Sequence, residues 1–122
     1  MIYHPEPTKA ISVCMATRGR PELAFDSIKT MINKAHNVDE IEFCVAIDND
    51  DQPSLDYFNG TVISWFEEKE LDILVMSFDR LGYAKLNEYI STLALNSKGA
   101  WIITWNDDAL METQDWDKEI AS

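Results

Sequence analysis

The sequence predicts an α/β protein of the Rossmann-like kind, a mostly parallel sheet with helices on both faces. Two observations carry that expectation. Four short strand-like runs alternate with stretches of helical periodicity, giving the order β-α-β-α-β-α-β. The runs are also apolar almost throughout, as strands covered on both faces require.

Taken in order, the first run is Ala10 to Ala16, ending in the turn from Thr17 to Pro21. Pro21 and Glu22 open a helical pattern in which Leu23, Ile28, Met31 and Ile32 recur at three- and four-residue steps, with Asn37 as its stop. Ile41 to Ile47 reads as a second strand and runs into the acidic turn from Asp48 to Pro53. Ser54 is the expected N-cap of a helix through Leu55, Phe58, Val62, Trp65 and Phe66, with Asn59-Gly60 weakening its middle. Leu71 to Met76 reads as a third strand. Gly82 to Asn96 reads as a helix presenting Leu86, Tyr89, Ile90, Leu93 and Ala94, closed by Gly99 as a C-cap. Ala100 to Trp105 is a fourth strand, expected to be buried, and it leads directly into Asn106, Asp107 and Asp108. Glu112 to Ile120 is a short helix or a frayed end. The tryptophans at 65, 101, 105 and 116 read as core or rim packing.

With 122 residues the chain is expected to form a single domain. Its net charge of −12 repels nucleic-acid phosphates and anionic membrane surfaces, so neither is an expected partner. No stretch approaches the ~20 apolar residues of a membrane span. The first residues lack the basic-then-apolar pattern of a signal peptide, so a cytoplasmic location is expected. Cys14 and Cys44 lie inside apolar runs and read as buried thiols.

The four glycines, at 19, 60, 82 and 99, cannot build a GxGxxG or Walker loop, which argues against a dinucleotide oxidoreductase or a P-loop enzyme. Open parallel sheets bind ligands at the carboxyl ends of their strands, and those ends carry the chemistry here. Asp107 and Asp108 repel one another, and a hard cation such as Mn²⁺ or Mg²⁺ beside a phosphate relieves that repulsion. A solvated acidic turn or a helix cap is the competing reading. Asp48, Asn49 and Asp50 offer acceptors to a base N–H or to ribose hydroxyls, or form an ordinary turn. Arg18 is suited to stacking on a base or pairing with phosphate, and Arg20 to bracing the acidic loops or forming a structural ion pair. Arg80 and Lys85 are further phosphate candidates, with helix-surface charge the simpler role for Lys85.

These segments resemble the family 2 glycosyltransferases of the GT-A fold. Ile11 to Glu22 is similar to that family's opening strand and its T-x-N-R-P-like turn. Ala46 to Asp50 looks like the base-contacting segment, Gly82 to Asn87 like the G-x-x-x-x-N stretch, and Trp105 to Asp108 like the DxD-type metal motif. The resemblance implies that Asp107 and Asp108 hold Mn²⁺ or Mg²⁺ on the diphosphate of a nucleotide-diphosphate sugar. It implies Asp48 and Asn49 at the base and ribose, with Thr17 and Arg18 flanking the base. The implied reaction is transfer of the sugar to an acceptor hydroxyl, the acceptor itself being undefined. Arg18 replaces the family's usual aromatic residue, Asn49 its second Asp, and Leu86 a common Arg. The chain ends soon after the metal motif, so an incomplete catalytic unit lacking an acceptor-binding half and its catalytic base is expected. The alternative is a non-catalytic binding or interaction module on the same fold; a homo-oligomer is a further expectation.

Overall fold

The computed structural model describes residues 7–80 and 85–121. Gly82, the expected start of the third helix, lies outside them. Strands β1 (Lys9–Thr17), β2 (Ile41–Asp48), β3 (Asp72–Phe78) and β4 (Gly99–Thr104) form one sheet in the order β3-β2-β1-β4. All three pairings are parallel. The order reverses between β1 and β4, and such a switch point opens a crevice at the carboxyl ends of the strands.

Alternation along the strands builds two cores. Ile11, Val13 and Met15 of β1 and Phe43, Val45 and Ile47 of β2 face one side. There they meet helix α1 (Pro21–Lys34), the helical stretch from Gln52 to Lys69, and α5 (Trp116–Ile120). Cys14, Cys44 and Ala46 face the other side, where Tyr89 and Leu93 of α4 (Leu86–Asn96) close over them. The two thiols lie opposite each other in register and are free and buried.

Helix α1 starts with Pro21 in its first turn and carries Glu22 at that end and Lys34 at the other, matching the helix dipole. It ends at Lys34, short of Asn37. Asp117 accepts hydrogen bonds from the His36 and Asn37 N–H groups at 2.6 and 2.8 Å, tying α5 to the chain beyond α1. The N-cap of α2 (Gln52–Tyr57) is Asp51 rather than Ser54. Pro53 has no N–H and fits the first turn, which moves the cap to Asp51, whose carboxylate accepts from the Ser54 N–H. Around Asn59-Gly60 the helix persists but widens into a π-helical segment, Phe58–Val62, before resuming as α3 (Ile63–Lys69).

Two expectations about the fourth strand are corrected. Gly99 is not a helix cap; α4 ends at Asn96 with Ser97 as its C-cap, and Gly99 is the first residue of β4. A Cβ at Gly99 would lie 2.4 Å from the Ser12 nitrogen, so only glycine allows β4 to approach β1 there. Nor is β4 buried. It occupies the sheet edge beside β1, and α4 packs over β1 and β2 instead. Trp101 and Ile102 are consequently 57% and 38% exposed on opposite faces.

The Gly99 contact is backbone, which cannot rotate away. Gly99→Ala is therefore expected to destabilise the chain by about 1–3 kcal/mol in urea unfolding, the usual cost of overpacking. An unchanged unfolding midpoint would show that β4 can shift without cost.

Candidate functional site

Between the carboxyl ends of β1, β2 and β4 lies a cavity of about 650 Å³. Of the residues singled out in the sequence, Thr17, Arg18, Arg20, Asp48, Arg80, Asp107 and Asp108 line it. Asn49, Asp50 and Lys85 do not. Asn49 donates from Nδ2 to Asp79 at 2.7 Å, and Lys85 pairs with Glu88 at 3.3 Å on the surface of α4's first turn. Asp50 serves the cavity indirectly, through Arg18.

Gly19 determines how the first turn works. Its φ of +71° is the left-handed conformation that glycine adopts without strain, and its N–H donates to Asp51 at 2.8 Å. The arginines on either side of it engage different acidic groups. Arg18 Nη1 donates to Asp48 at 2.9 Å and to Asp50 at 2.5 Å. These bonds, Asp50 first and then Asp48, raise the guanidinium above its ordinary pKa. Arg18 in turn holds Asp50 below the usual carboxylate range, with a smaller contribution from the charge of Arg80.

Arg20 grips Asp107 at two points, Nε to Oδ2 at 2.9 Å and Nη2 to Oδ1 at 2.7 Å. Thr17 adds a third bond to Oδ2 at 2.8 Å. Asp107 is only 5% exposed, so three of its roughly four acceptor positions are filled by protein. The repulsion expected between the two aspartates is thus relieved by Arg20. Asp108 is exposed, and among the described residues its carboxylate has no hydrogen-bond or ion-pair partner. Among the described residues, no group of three or more His, Cys, Asp or Glu is placed to hold a metal ion.

The acidic turn is also anchored from below. Ser27 of α1 donates to the carbonyls of Ala109, at 2.5 Å, and Asn106, at 3.3 Å, and accepts from Trp105 Nε1 at 2.9 Å. Thr30 accepts from the Met111 N–H at 2.9 Å. Sequence reasoning missed both residues; a polar pair three apart on the apolar face of α1 was the available signal. It also missed Tyr89, whose hydroxyl donates to Asp48 and which reads in sequence only as a core aromatic. Asp48 is held from both sides, by Arg18 and Tyr89.

A four-stranded parallel sheet in this order, with helices on both faces, is a Rossmann-like α/β fold that matches solved glycosyltransferase structures. The mannosyltransferase PcManGT from Pyrobaculum calidifontis, in complex with GDP-Man and Mn²⁺, matches over 92% of this chain and 32% of its own, with a TM-score of 0.68 and 21% identity. TarS 1–349 of S. aureus matches over 92% and 31%, with a TM-score of 0.68 and 16% identity. The same TarS fragment in complex with UDP gives a TM-score of 0.64 and 15% identity. At these identities the likeness is one of fold, and the chain spans about a third of the length of the structures it matches. No protein-family model and no curated sequence matches the chain. No helix among the described residues is long and apolar enough to cross a membrane.

Burial pushes the Asp51 carboxyl up, but hydrogen bonds from Ser54 and the Gly19 N–H outweigh it and hold the group below its ordinary value of 3.8. A depressed folded pKa stabilises fully above the unfolded value, and that contribution is lost as pH falls through the folded one. Asp51→Asn is therefore expected to cost about 1 kcal/mol at pH 7 and to flatten the loss of stability below about pH 4, measured by urea unfolding across pH. An unchanged acid limb would remove Asp51 from this role.

Proposed function

We propose that the chain is the donor-binding part of a glycosyltransferase, holding a nucleotide-diphosphate sugar with Mn²⁺ or Mg²⁺ for transfer of the sugar to an acceptor hydroxyl. The observation that carries this reading is the cavity at the strand switch point. Its lining includes Asp48, an acceptor for a base, and Asp108, a carboxylate that is unpartnered among the described residues. Its volume falls within the ordinary range for small-molecule sites. The fold it sits in is shared with proteins bound to GDP-Man with Mn²⁺ and to UDP.

Each residue's part follows from its surroundings. Asp48 uses two acceptor positions on Arg18 and Tyr89 and keeps others for a base N–H. Arg18, pinned by two carboxylates, offers a planar face on which a base stacks. Arg80 lines the same cavity and supplies positive charge for phosphate. Asp108 fits a hard cation, which binds through one or two carboxylates and completes its shell with phosphate oxygens and water. When bound, that cation supplies charge neutralisation for the departing nucleoside diphosphate. Asp107 then acts as a brace more than as a ligand.

A ligand that binds the native state raises its melting temperature by mass action. With UDP-, GDP- or dTDP-sugars at tenfold excess over Kd, one of them is expected to raise Tm by about 5 °C in the presence of Mn²⁺. Asp108→Asn should remove the metal-dependent part of the shift while leaving the unliganded Tm within about 1 °C, since the side chain is exposed. No shift with any nucleotide, or an identical shift in EDTA, would contradict the proposal.

A further inference from the structure

The two adjacent aspartates differ in what is left for a cation. Asp107 is buried and gripped at two points by Arg20 and at a third by Thr17, whereas Asp108 is exposed and unpartnered among the described residues. With Arg20 counted, these three side chains carry a net charge of −1 rather than −2. A single exposed carboxylate is a poor competitor for the water shell of Mn²⁺ or Mg²⁺, because dehydrating a small hard cation is costly.

We infer that Arg20 and Thr17 keep this site closed to a free divalent cation, so that the cation binds only together with a diphosphate. The inference rests on the donor-binding reading above and adds an order of events to it. The diphosphate brings the oxygens and the negative charge that Asp107, spent on Arg20, does not supply. Arg20 is on this account a positioning residue. It fixes Asp107 beside the end of β1, leaves Asp108 as the available carboxylate of the pair, and prevents the pair from acting as a cation trap in the absence of donor. Arginine suits that part, since its fork matches both carboxylate oxygens at once and it does not lose its proton.

The test uses the whole chain labelled with ¹⁵N, following paramagnetic broadening of the Thr17, Asp107 and Asp108 amide signals by Mn²⁺, with Mg²⁺ as the diamagnetic control. In the wild type, Mn²⁺ alone should leave these signals sharp, and Mn²⁺ with UDP or GDP should broaden them. Arg20→Gln releases Asp107, and restoring a second carboxylate charge should let Mn²⁺ alone broaden the same signals at roughly tenfold lower concentration than in the wild type. Arg20→Lys keeps the charge without the two-point grip and should fall between the two; it carries the comparison if Arg20→Gln does not fold. If Mn²⁺ alone broadens the wild-type signals as strongly as Mn²⁺ with nucleotide, the ordered-binding inference fails and the donor reading stands. If no diphosphate produces broadening, the donor reading fails and takes the inference with it.

Discussion

The carboxylate of Asp107, in the segment after β4, is bonded to two residues of one turn far back in the chain: Thr17 at the end of β1, 90 residues away, and Arg20 at the entry to α1, 87 residues away. That junction fixes the wall of the crevice at the sheet's switch point from the β1 side. Hydrogen bonds to charged groups are worth about 1.5–3 kcal/mol each, but burying a carboxylate costs several kcal/mol. The net contribution is therefore modest. Leaving the carboxylate buried and unpaired would be far more costly, about 3–5 kcal/mol, and that asymmetry makes the geometry single-valued. Arg20 itself is half exposed, which lowers the stabilising value of the pair without loosening the constraint.

Everything else at the crevice is arranged around this wall. Gly19, in a left-handed conformation, lets the chain turn between Arg18 and Arg20, so that one guanidinium serves the acidic loop after β2 and the other the turn after β4. Ser27 and Thr30 hold the second turn against α1 from beneath. Tyr89 comes down from α4 on the opposite face of the sheet to hold Asp48. Both helical layers thus contribute to one cavity, the arrangement that a doubly wound sheet makes available.

The architecture was legible because it rests on local signals. Continuous apolar runs and the Pro21-Glu22 helix start mark β1, the start of α1 and β2 within a residue or two of where they lie. What escaped notice was set by contacts distant in sequence. Gly99 follows a helix and looks like its cap, yet the reason for it is the Ser12 backbone 87 residues away. The β4 run reads as buried from composition alone, because apolar residues do not reveal that their strand is an edge. Asp107 and Asp108 are indistinguishable in sequence. Only Arg20 and Thr17, brought up by the parallel pairing of β1 with β4, separate a braced carboxylate from an open one.

The proposed donor site puts a nucleoside diphosphate at this switch point, with a cation on Asp108 and Asp107 still held by Arg20. Crystals of the chain grown with GDP or UDP and Mn²⁺, with anomalous data at the manganese edge, test it most directly. The account predicts one manganese peak within direct-ligand distance of an Asp108 oxygen, with the base beside Asp48 and the two Arg20–Asp107 bonds intact. Nucleotide bound away from the ends of β1 and β4, or Arg20 displaced so that Asp107 ligates the manganese, would contradict it.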